Sequence, residues 1–318
     1  MDDVLWDSWP EPWVGTQYDV RTVMAAMSQK TKDEFRYGAI PWERIPHYGD
    51  PGDDIPVLLA RLASDDAEAA RQALSRLSRA LRLEGRSADV AAWAVPFLLR
   101  ITAIGKHRGL RAEVLRLTAE IGRTLSLGGG SRAELLAVAE GPMVISGSTM
   151  CPVDWTIQAA REAVTVDCEL LLPLLADLDA AVRAAAAFTL AVASGEAARI
   201  AAALHRRWAV EDDPSVQISL ILAIAQLARE HPDDNTAADW VRDLWSDLGQ
   251  PPHVRVGAGL AWLCLVEGPV PDGLRTLLAD PETEQLGDLF QKSPWFPPVD
   301  YKCGLLRCVH EMLIPDVR

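Results

Sequence analysis

Apolar positions recur along the chain in three segments that can be laid over one another, residues 181–187, 215–221 and 253–259. The valine at the second position of each segment returns after 34 and then 38 residues, and a short turn with Asp or Pro precedes each segment. A repeat of this length with two helical patterns is typical of an α-solenoid, in which stacked helix pairs bury a continuous core.

Helical periodicity also governs the region before these segments. Apolar residues between 55 and 62 share one helix face, with Asp54 as a suitable N-cap and Pro56 in the first turn. A second run over residues 70–81, which Gly85 can end, completes a two-helix unit. The same periodicity predicts helices at 89–104, 111–125, 156–164, 169–175, 182–193, 197–208, 216–228, 237–248, 254–266, 273–278 and 304–313.

These patterns predict an all-α fold in five segments. Residues 1–50 form an irregular, aromatic and proline-rich N-terminal cap or arm, and residues 51–125 and 155–280 form two runs of helical repeats. Residues 126–154 form an irregular insertion between the runs, and residues 281–318 form a C-terminal cap.

The N-terminal segment is distinguished by Trp6, Trp9, Trp13 and Trp42, which are interleaved with prolines. One interpretation is a cap, because the end repeat of a solenoid exposes an apolar face that must be covered. The other is one wall of a ligand groove, because aromatic side chains offer large contact areas at a low cost in entropy.

The insertion interrupts the helical period with glycines at 128–130, 141 and 147. Only residues 132–140 retain a pattern that could form a short helix. Long irregular insertions in compact folds serve as lids over ligands or as mobile loops, and both interpretations stay open here.

The net charge of −14 at pH 7 affects which partners are plausible. An acidic protein repels a phosphate backbone, so a nucleic-acid partner is disfavoured. A basic protein or peptide partner is favoured because opposite charges steer association.

Cysteine usage and hydropathy bear on the compartment. The five cysteines are odd in number and scattered, unlike a disulfide framework. No apolar stretch approaches the roughly 20 residues that a bilayer span needs, and the acidic first residues differ from a signal peptide. We therefore expect a cytoplasmic protein with reduced cysteines and no membrane partner.

Three stretches carry a family resemblance: Trp-Glu-Arg-Ile-Pro-His-Tyr-Gly at 42–49, Asp-Asp-Ile-Pro-Val-Leu-Leu at 53–59 and Ala-Ala-Trp-Ala-Val-Pro-Phe-Leu-Leu at 91–99. They resemble bacterial HEAT-repeat proteins common in actinomycetes. The resemblance implies a right-handed α-solenoid of HEAT-like repeats. Such arrays serve as scaffolds, adaptors or immunity-type binders and, less often, as enzymes.

Motifs for catalysis or cofactor binding are sparse. The sequence lacks a Gly-x-Ser-x-Gly elbow, a P-loop and a dinucleotide fingerprint. His310-Glu311 is a single His-Glu dipeptide, whereas a di-iron site on such a fold would need several. We therefore predict no metal and no cofactor.

The residues best suited to bind a ligand or partner are tryptophans and acids. An ordinary structural role competes in each case, since aspartates cap helices and tryptophans pack in cores. The candidates are Trp6, Trp9, Trp13, Trp42, Trp93, Trp155, Asp53 and Asp54.

The leading hypothesis is a binding protein that holds a basic protein or peptide in a concave groove. The alternative is an enzyme, or a companion subunit of one, that acts on a small-molecule or carrier-bound intermediate in specialised metabolism. A third hypothesis, a DNA glycosylase on a HEAT-like scaffold, requires a basic concave face despite the overall negative charge.

Overall fold

The computed structural model describes residues 19–44, 54–83, 86–123, 131–132, 134–136, 153–231, 236–296 and 304–314, and these residues form an all-α fold. Among the described helices, none combines the length and apolar character that crossing a bilayer requires. Short 3-10 turns lie at Tyr37–Ala39, Trp42–Arg44, Arg108–Leu110, Cys168–Leu170 and Leu172–Ala176, and strands Arg82–Leu83 and Arg86–Ser87 pair antiparallel. The helices are α1 (Val20–Ala26), α2 (Gln29–Asp33), α3 (Ile55–Leu62), α4 (Ala67–Leu81), α5 (Ala91–Ile104), α6 (Arg111–Ile121), α7 (Val153–Val166), α8 (Ala180–Leu190), α9 (Ala197–Trp208), α10 (Pro214–Glu230), α11 (Thr236–Ser246), α12 (Pro252–Leu265), α13 (Asp272–Leu278), α14 (Pro281–Gln285), α15 (Gly287–Gln291) and α16 (Leu305–Leu313).

Outside the insertion, the predicted helices correspond closely to the observed ones except in three places. The N-terminal segment, predicted to be irregular, contains α1 and α2. The helix predicted at 169–175 is two consecutive 3-10 turns, and α14 and α15 were not predicted. Each exception is shorter than two turns, so it lacks the full apolar period on which sequence-based prediction depends.

The chain separates into two compact units, each described here by itself. Unit 1 comprises Met1–Thr124 and Val138–Leu170, and unit 2 comprises Leu125–Ala137 and Leu171–Arg318. The insertion predicted at 126–154 is therefore shared between the units.

Helix α5 is the centre of unit 1. Its residues 91–99 are all buried, and it packs on α6 and α7 while also touching α1, α2 and α3. A helix that is apolar on all sides is expected to occupy such a central position. Pro96 lies inside α5.

A buried ion cluster joins three parts of unit 1. Arg100 of α5 donates to Asp33 of α2 at 2.7 Å and to both carboxylate oxygens of Asp167 at 2.8 and 3.1 Å. Burial alone would lower the pKa of Arg100, but hydrogen bonds to Asp167 and Asp33 raise it overall. The charge is therefore retained, and it fixes α2 against α5.

In unit 2, helices α8 and α10 lie side by side and parallel. The Ser219 hydroxyl donates to Ala184 O at 2.7 Å, and Gln226 Nε2 donates to Ala191 O at 2.6 Å. The partners are 35 residues apart in both cases. A constant offset over two helical turns requires parallel helices in register.

Helix α12 continues this layer on the other side of α10. His253 Nε2 and Gln217 Oε1 share a hydrogen bond of 2.7 Å, and a Cβ placed on Gly257 would lie 3.8 Å from Ile221 Cδ1. Both pairs show an offset of 36 residues. The N-termini of α8, α10 and α12 therefore lie at the same edge of unit 2.

Two further groups of elements cover this three-helix layer. Helices α9 and α11 pack on α10 and α12 through their apolar stripes. The segment containing α15 and Trp295 also packs on α10, where the Trp295 indole N–H donates to the Ser219 hydroxyl at 3.2 Å. The Trp295 ring stands edge-on to Phe188, with centroids 4.9 Å apart. As a result α10 is buried over most of its circumference.

Candidate functional site

Two of the predicted binding tryptophans, Trp42 and Trp93, are core residues of unit 1. Trp42 is 7% exposed and its indole N–H donates to Tyr37 O at 2.7 Å. Trp93 is fully buried and its indole N–H donates to Val20 O at 3.1 Å. Their rings meet at a centroid distance of 6.0 Å. They hold α1 and the following 3-10 turns against α5.

Trp155, in the first turn of α7, lies beneath a cation. The guanidinium carbon of Arg21 lies 4.2 Å from the Trp155 ring centroid, and Asp19 accepts two hydrogen bonds from Arg21 at 2.9 and 2.8 Å. The hydrogen bond to Asp19 is the main cause that raises the pKa of Arg21. The guanidinium is thus already engaged on its face and along one edge, and it fastens α1 to α7.

Of the two predicted acids, one caps a helix and the other lies outside the described residues. Asp54 Oδ1 accepts a hydrogen bond from Val57 N at 3.1 Å, which confirms the predicted N-cap of α3. Asp53, Trp6, Trp9 and Trp13 lie outside the described residues.

The described part of the insertion, within residues 131–136, is anchored in unit 2. Arg132 donates to Met312 O and Gly268 O at 2.9 Å each, and its own carbonyl accepts a hydrogen bond from Arg229 at 3.2 Å. Residues 131–132 and 134–136 form bends and turns, not the predicted helix.

The same segment adjoins Cys264 of α12. Burial raises the pKa of the Cys264 thiol to about 12, although Arg229, Arg132 and the Leu136 backbone N–H oppose this rise. The thiol is therefore protonated at neutral pH and is a packing residue, not a nucleophile.

A shallow depression of about 250 Å³ lies between α3, α5 and α6 in unit 1. Its polar lining groups already have protein partners: Lys106 pairs with Asp65 at 2.9 Å, His107 Nε2 contacts Ser64 O at 2.7 Å, and Arg111 donates to a carbonyl. The depression thus offers few polar groups to a ligand. Across the described residues, no group of three or more His, Cys, Asp or Glu side chains is arranged to hold a metal ion.

The surface of unit 2 presents apolar side chains at one edge. We call this surface the turn edge and define it by the three turns that precede α8, α10 and α12, at 177–179, 209–213 and 247–251. Leu178 is 92% exposed, Val210 is 70% exposed and Leu248 is 82% exposed. Because the N-termini of α8, α10 and α12 lie at the same edge of unit 2, the three side chains all belong to that edge.

The turn edge is acidic. Its three turns contain no Lys, Arg or His and carry five aspartates besides Glu211. Asp179 and Asp213 cap α8 and α10 by accepting backbone N–H bonds, so they are fixed in place. Acidic groups at helix N-termini are also stabilised by the helix dipole.

Glu211 has a separate structural role beneath the edge. It accepts hydrogen bonds from Arg183 at 2.9 Å, from Arg207 at 2.7 Å and from Asp213 N at 3.0 Å. Burial would raise the pKa of Glu211, but these hydrogen bonds outweigh it and lower the pKa to about 2. Glu211 therefore ties the middle turn to α8 and α9.

Half-buried tryptophans lie close in sequence to two of these exposed residues. Trp208 is the last residue of α9, two residues before Val210, and Trp245 is the second-last residue of α11, three residues before Leu248. Trp208 stands edge-on to Trp240, with ring centroids 5.7 Å apart, and Trp245 stands edge-on to Trp262 at 6.2 Å. Each ring thus bridges to the following helix pair while part of its surface stays accessible.

The chain matches no known family model, curated protein or solved structure. The functional argument consequently depends on the geometry of the turn edge. Sequence reasoning missed this surface, although one signal was present: an apolar residue directly beside an acid in the turn before each of the helices α8, α10 and α12.

Proposed function

We propose that this chain is a binding protein built on HEAT-like repeats, and that its turn edge engages a basic protein or peptide. The parallel layer of α8, α10 and α12, with α9 and α11 packed outside it, supports a HEAT-like arrangement of unit 2. Arg183 and Arg255, which follow the aligned valines of two repeats, both donate to carbonyls near the preceding turn. Such recurring contacts are expected when repeats stack on one another.

One observation carries the proposal: each of the three turns before α8, α10 and α12 exposes an aliphatic side chain among carboxylates. A single exposed apolar residue is ordinary, but exposed aliphatic residues in three successive turns of one edge are typical of an interaction surface. An apolar patch rimmed by negative charge suits a partner with apolar anchors and positive charge.

The packing of unit 2 also favours the turn edge, rather than the layer of α8, α10 and α12, as the surface that binds a partner. The segment with α15 and Trp295 covers the part of α10 around Ser219. A partner could reach this part of α10 only by displacing buried aromatic contacts. The turn edge is accessible without any rearrangement.

Quantitative affinity purification from the source organism's lysate would test this function. The full-length chain serves as bait beside a variant with Leu178→Asn, Val210→Asn and Leu248→Asn. A matched control carries Val57→Asn, Ile104→Asn and Val166→Asn, which replace exposed aliphatic residues of unit 1. We expect a basic protein that the wild-type and control baits retain, that the turn-edge variant loses, and that cross-links to residues 177–251.

Salt provides a second criterion. Retention should weaken as ionic strength rises, because the Debye length falls from about 10 Å at 0.1 M to about 3 Å at 1 M. A partner retained equally by all three baits would show that the turn edge is not the binding surface. Recovery of the bait alone at low salt would count against the binding function itself.

A further inference from the structure

Unit 1 presents a turn whose charge is opposite to that of the turn edge. We call residues 105–111 the basic turn; it links α5 to α6, and it contains Lys106, His107, Arg108 and Arg111 but no Asp or Glu. Lys106 and Arg108 are exposed, whereas His107 and Arg111 are half-buried. In a chain with a net charge of −14, positive charge is therefore concentrated at this turn.

Hydrogen bonds to neighbouring elements hold the basic turn in place. His107 Nε2 donates to Ser64 O at 2.7 Å, and Arg111 Nε donates to Thr102 O at 3.1 Å. Gly105 ends α5 in the left-handed conformation, with a φ of 69° that favours glycine. A turn that is already fixed loses little conformational entropy when a partner binds to it.

The shallow depression between α3, α5 and α6 adjoins the basic turn. Its lining includes Lys106, His107, Leu110 and Arg111 of the turn, together with residues of α3, α5 and α6. Because its polar groups already have protein partners, the depression suits an aliphatic side chain better than a polar one. The partner of Lys106 is the exposed Asp65, and such surface ion pairs contribute little, so Lys106 can also pair with a carboxylate of another molecule.

The turn edge of unit 2 has the complementary properties. Its turns carry aspartates and no cation, and they expose Leu178, Val210 and Leu248. We infer that the turn edge of one copy of this chain binds the basic turn of a second copy. An aliphatic residue of the edge enters the depression, and the aspartates pair with Lys106 and Arg108. This inference goes beyond the proposed function, because a second copy on the turn edge competes with the basic partner.

Screening allows an acidic chain to bind itself in this way. At an ionic strength of 0.15 M the Debye length is about 8 Å, so charges far from the contact are largely screened while opposite charges at the contact still attract. Two turn edges do not pair with each other, because like charges would meet. A nucleic acid suits the basic turn less well, since its phosphates offer no aliphatic group and extend towards a chain that is acidic elsewhere.

Charge reversal tests this contact with no ligand other than the full-length chain. The reversed-edge variant carries Val210→Lys and Asp212→Lys, which replace exposed residues that do not cap a helix. The reversed-turn variant carries Lys106→Glu and Arg108→Glu. Sedimentation velocity gives the mean mass as a function of protein concentration, at about 0.1 M and about 1 M salt, where the Debye length is about 10 and about 3 Å. Melting temperatures verify folding.

We expect the mean mass of the wild type to rise with concentration at low salt and to fall at high salt. A head-to-tail contact leaves one free surface at each end of a pair, so association continues beyond the dimer unless a ring closes. Each variant alone should associate at least about tenfold more weakly, because like charges replace opposite ones at the contact.

A mixture of the two variants provides the decisive measurement. The reversed edge of one variant meets the reversed turn of the other, so mixing should restore association, as should the combination of all four substitutions in one chain. A matched control, Arg275→Glu with Lys292→Glu, reverses two exposed cations of unit 2 and changes the net charge as much as the reversed-turn variant does. It should associate as the wild type does.

Three results would overturn the inference: a wild type that stays monomeric at every concentration at low salt, association that survives either charge reversal, or a mixture of the two variants that stays monomeric. A monomeric chain that binds a DNA duplex, and loses it in the reversed-turn variant, would assign the basic turn to a nucleic acid instead. The proposed function fails separately. If the chain associates as expected but retains no basic protein from lysate, self-association stands and the basic partner is wrong.

Discussion

The tryptophans of the two units contrast in burial and in role. Trp42, Trp93 and Trp155 of unit 1 are at most 7% exposed, and each satisfies a specific polar or cationic contact inside the unit. Trp208 and Trp240 of unit 2 are half-buried and meet each other edge-on at the surface. The same residue type therefore stabilises a core in one unit and contributes to an accessible face in the other. Residue type alone does not distinguish the two roles, because the distinction depends on what packs over the ring.

The largest expected effect on the free energy of unfolding is at the buried tryptophans of unit 1. Trp93→Ala should lower the free energy of unfolding by about 3–5 kcal/mol, because it leaves a large cavity in unit 1. Trp93→Phe keeps most of the ring volume but loses the hydrogen bond to Val20 O, so it should cost about 1–3 kcal/mol. Urea unfolding followed by far-UV circular dichroism measures both. A loss below about 1 kcal/mol for Trp93→Ala would contradict the core role.

The next effect concerns the charge beneath the turn edge. Glu211→Gln should destabilise unit 2 by about 3 kcal/mol at pH 7, since it leaves Arg183 and Arg207 without their carboxylate. The folded pKa of Glu211 is about 2, below its ordinary value of 4.5. Ionised Glu211 thus contributes its full stability above about pH 4.5, and this contribution declines as pH falls towards 2.

The pH dependence of the stability difference between wild type and Glu211→Gln tests this prediction. Unfolding of wild type and Glu211→Gln should be compared at several pH values from 7 down to 3. The stability gap should narrow below about pH 4.5. A gap that stays constant over this range would show that the carboxylate of Glu211 is not the titrating group.

A moderate effect is expected where the insertion joins unit 2. Arg132→Ala removes side-chain hydrogen bonds to Met312 O and Gly268 O, which should cost about 1–3 kcal/mol. Arg206→Ala, at an exposed position of α9, is the matched control and should change the free energy of unfolding by no more than about 0.5 kcal/mol. Slow amide exchange of Leu136 in the free chain would agree with this anchoring. Fast exchange at Leu136 would instead assign residues 131–136 to a mobile loop.

Trp240→Ala tests the half-buried tryptophans of unit 2 and should destabilise the protein less than Trp93→Ala does. The Trp240 ring is already half-exposed, so its removal mainly deletes the edge-on contacts with Trp208 and His205. The free energy of unfolding should therefore fall by about 1–2 kcal/mol. The same urea series measures this value. If Trp240→Ala proved as costly as Trp93→Ala, the contrast between the two sets would disappear.

The smallest effect on stability is expected at the turn edge. Leu178→Asn and Leu248→Asn replace side chains that are 92% and 82% exposed, so each should change the free energy of unfolding by no more than about 0.5 kcal/mol. Thermal unfolding measures this change. A much larger loss would mean that these leucines support the fold and are not available to a partner.

Local signals in the sequence predicted much of the fold. Asp54 caps α3 and Pro56 stands in its first turn, as predicted, because capping and proline preferences depend on neighbouring residues only. The aligned valines marked α8, α10 and α12 because each of these helices is apolar enough to be buried on several sides.

Contacts between distant residues could not be predicted in this way. Arg100 meets Asp33 and Asp167, each 67 residues away, and no spacing rule links these positions. The covering of α10 by Trp295 likewise depends on how the C-terminal segment returns to the layer. For the same reason the sequence alone left a ligand wall open as an alternative to a structural role for Trp42 and Trp93.

The sequence by itself determined the helical class, the repeat spacing, most helix ends and the acidic character of the chain, since these follow from local propensity, periodicity and composition. Only the tertiary structure decided which aromatic rings are covered, which arginines are neutralised, and that Leu178, Val210 and Leu248 share one edge. Burial and pairing are set by the packing of residues far apart in the chain. The turns that carry these three residues lie at one edge because α8, α10 and α12 pack parallel and in register.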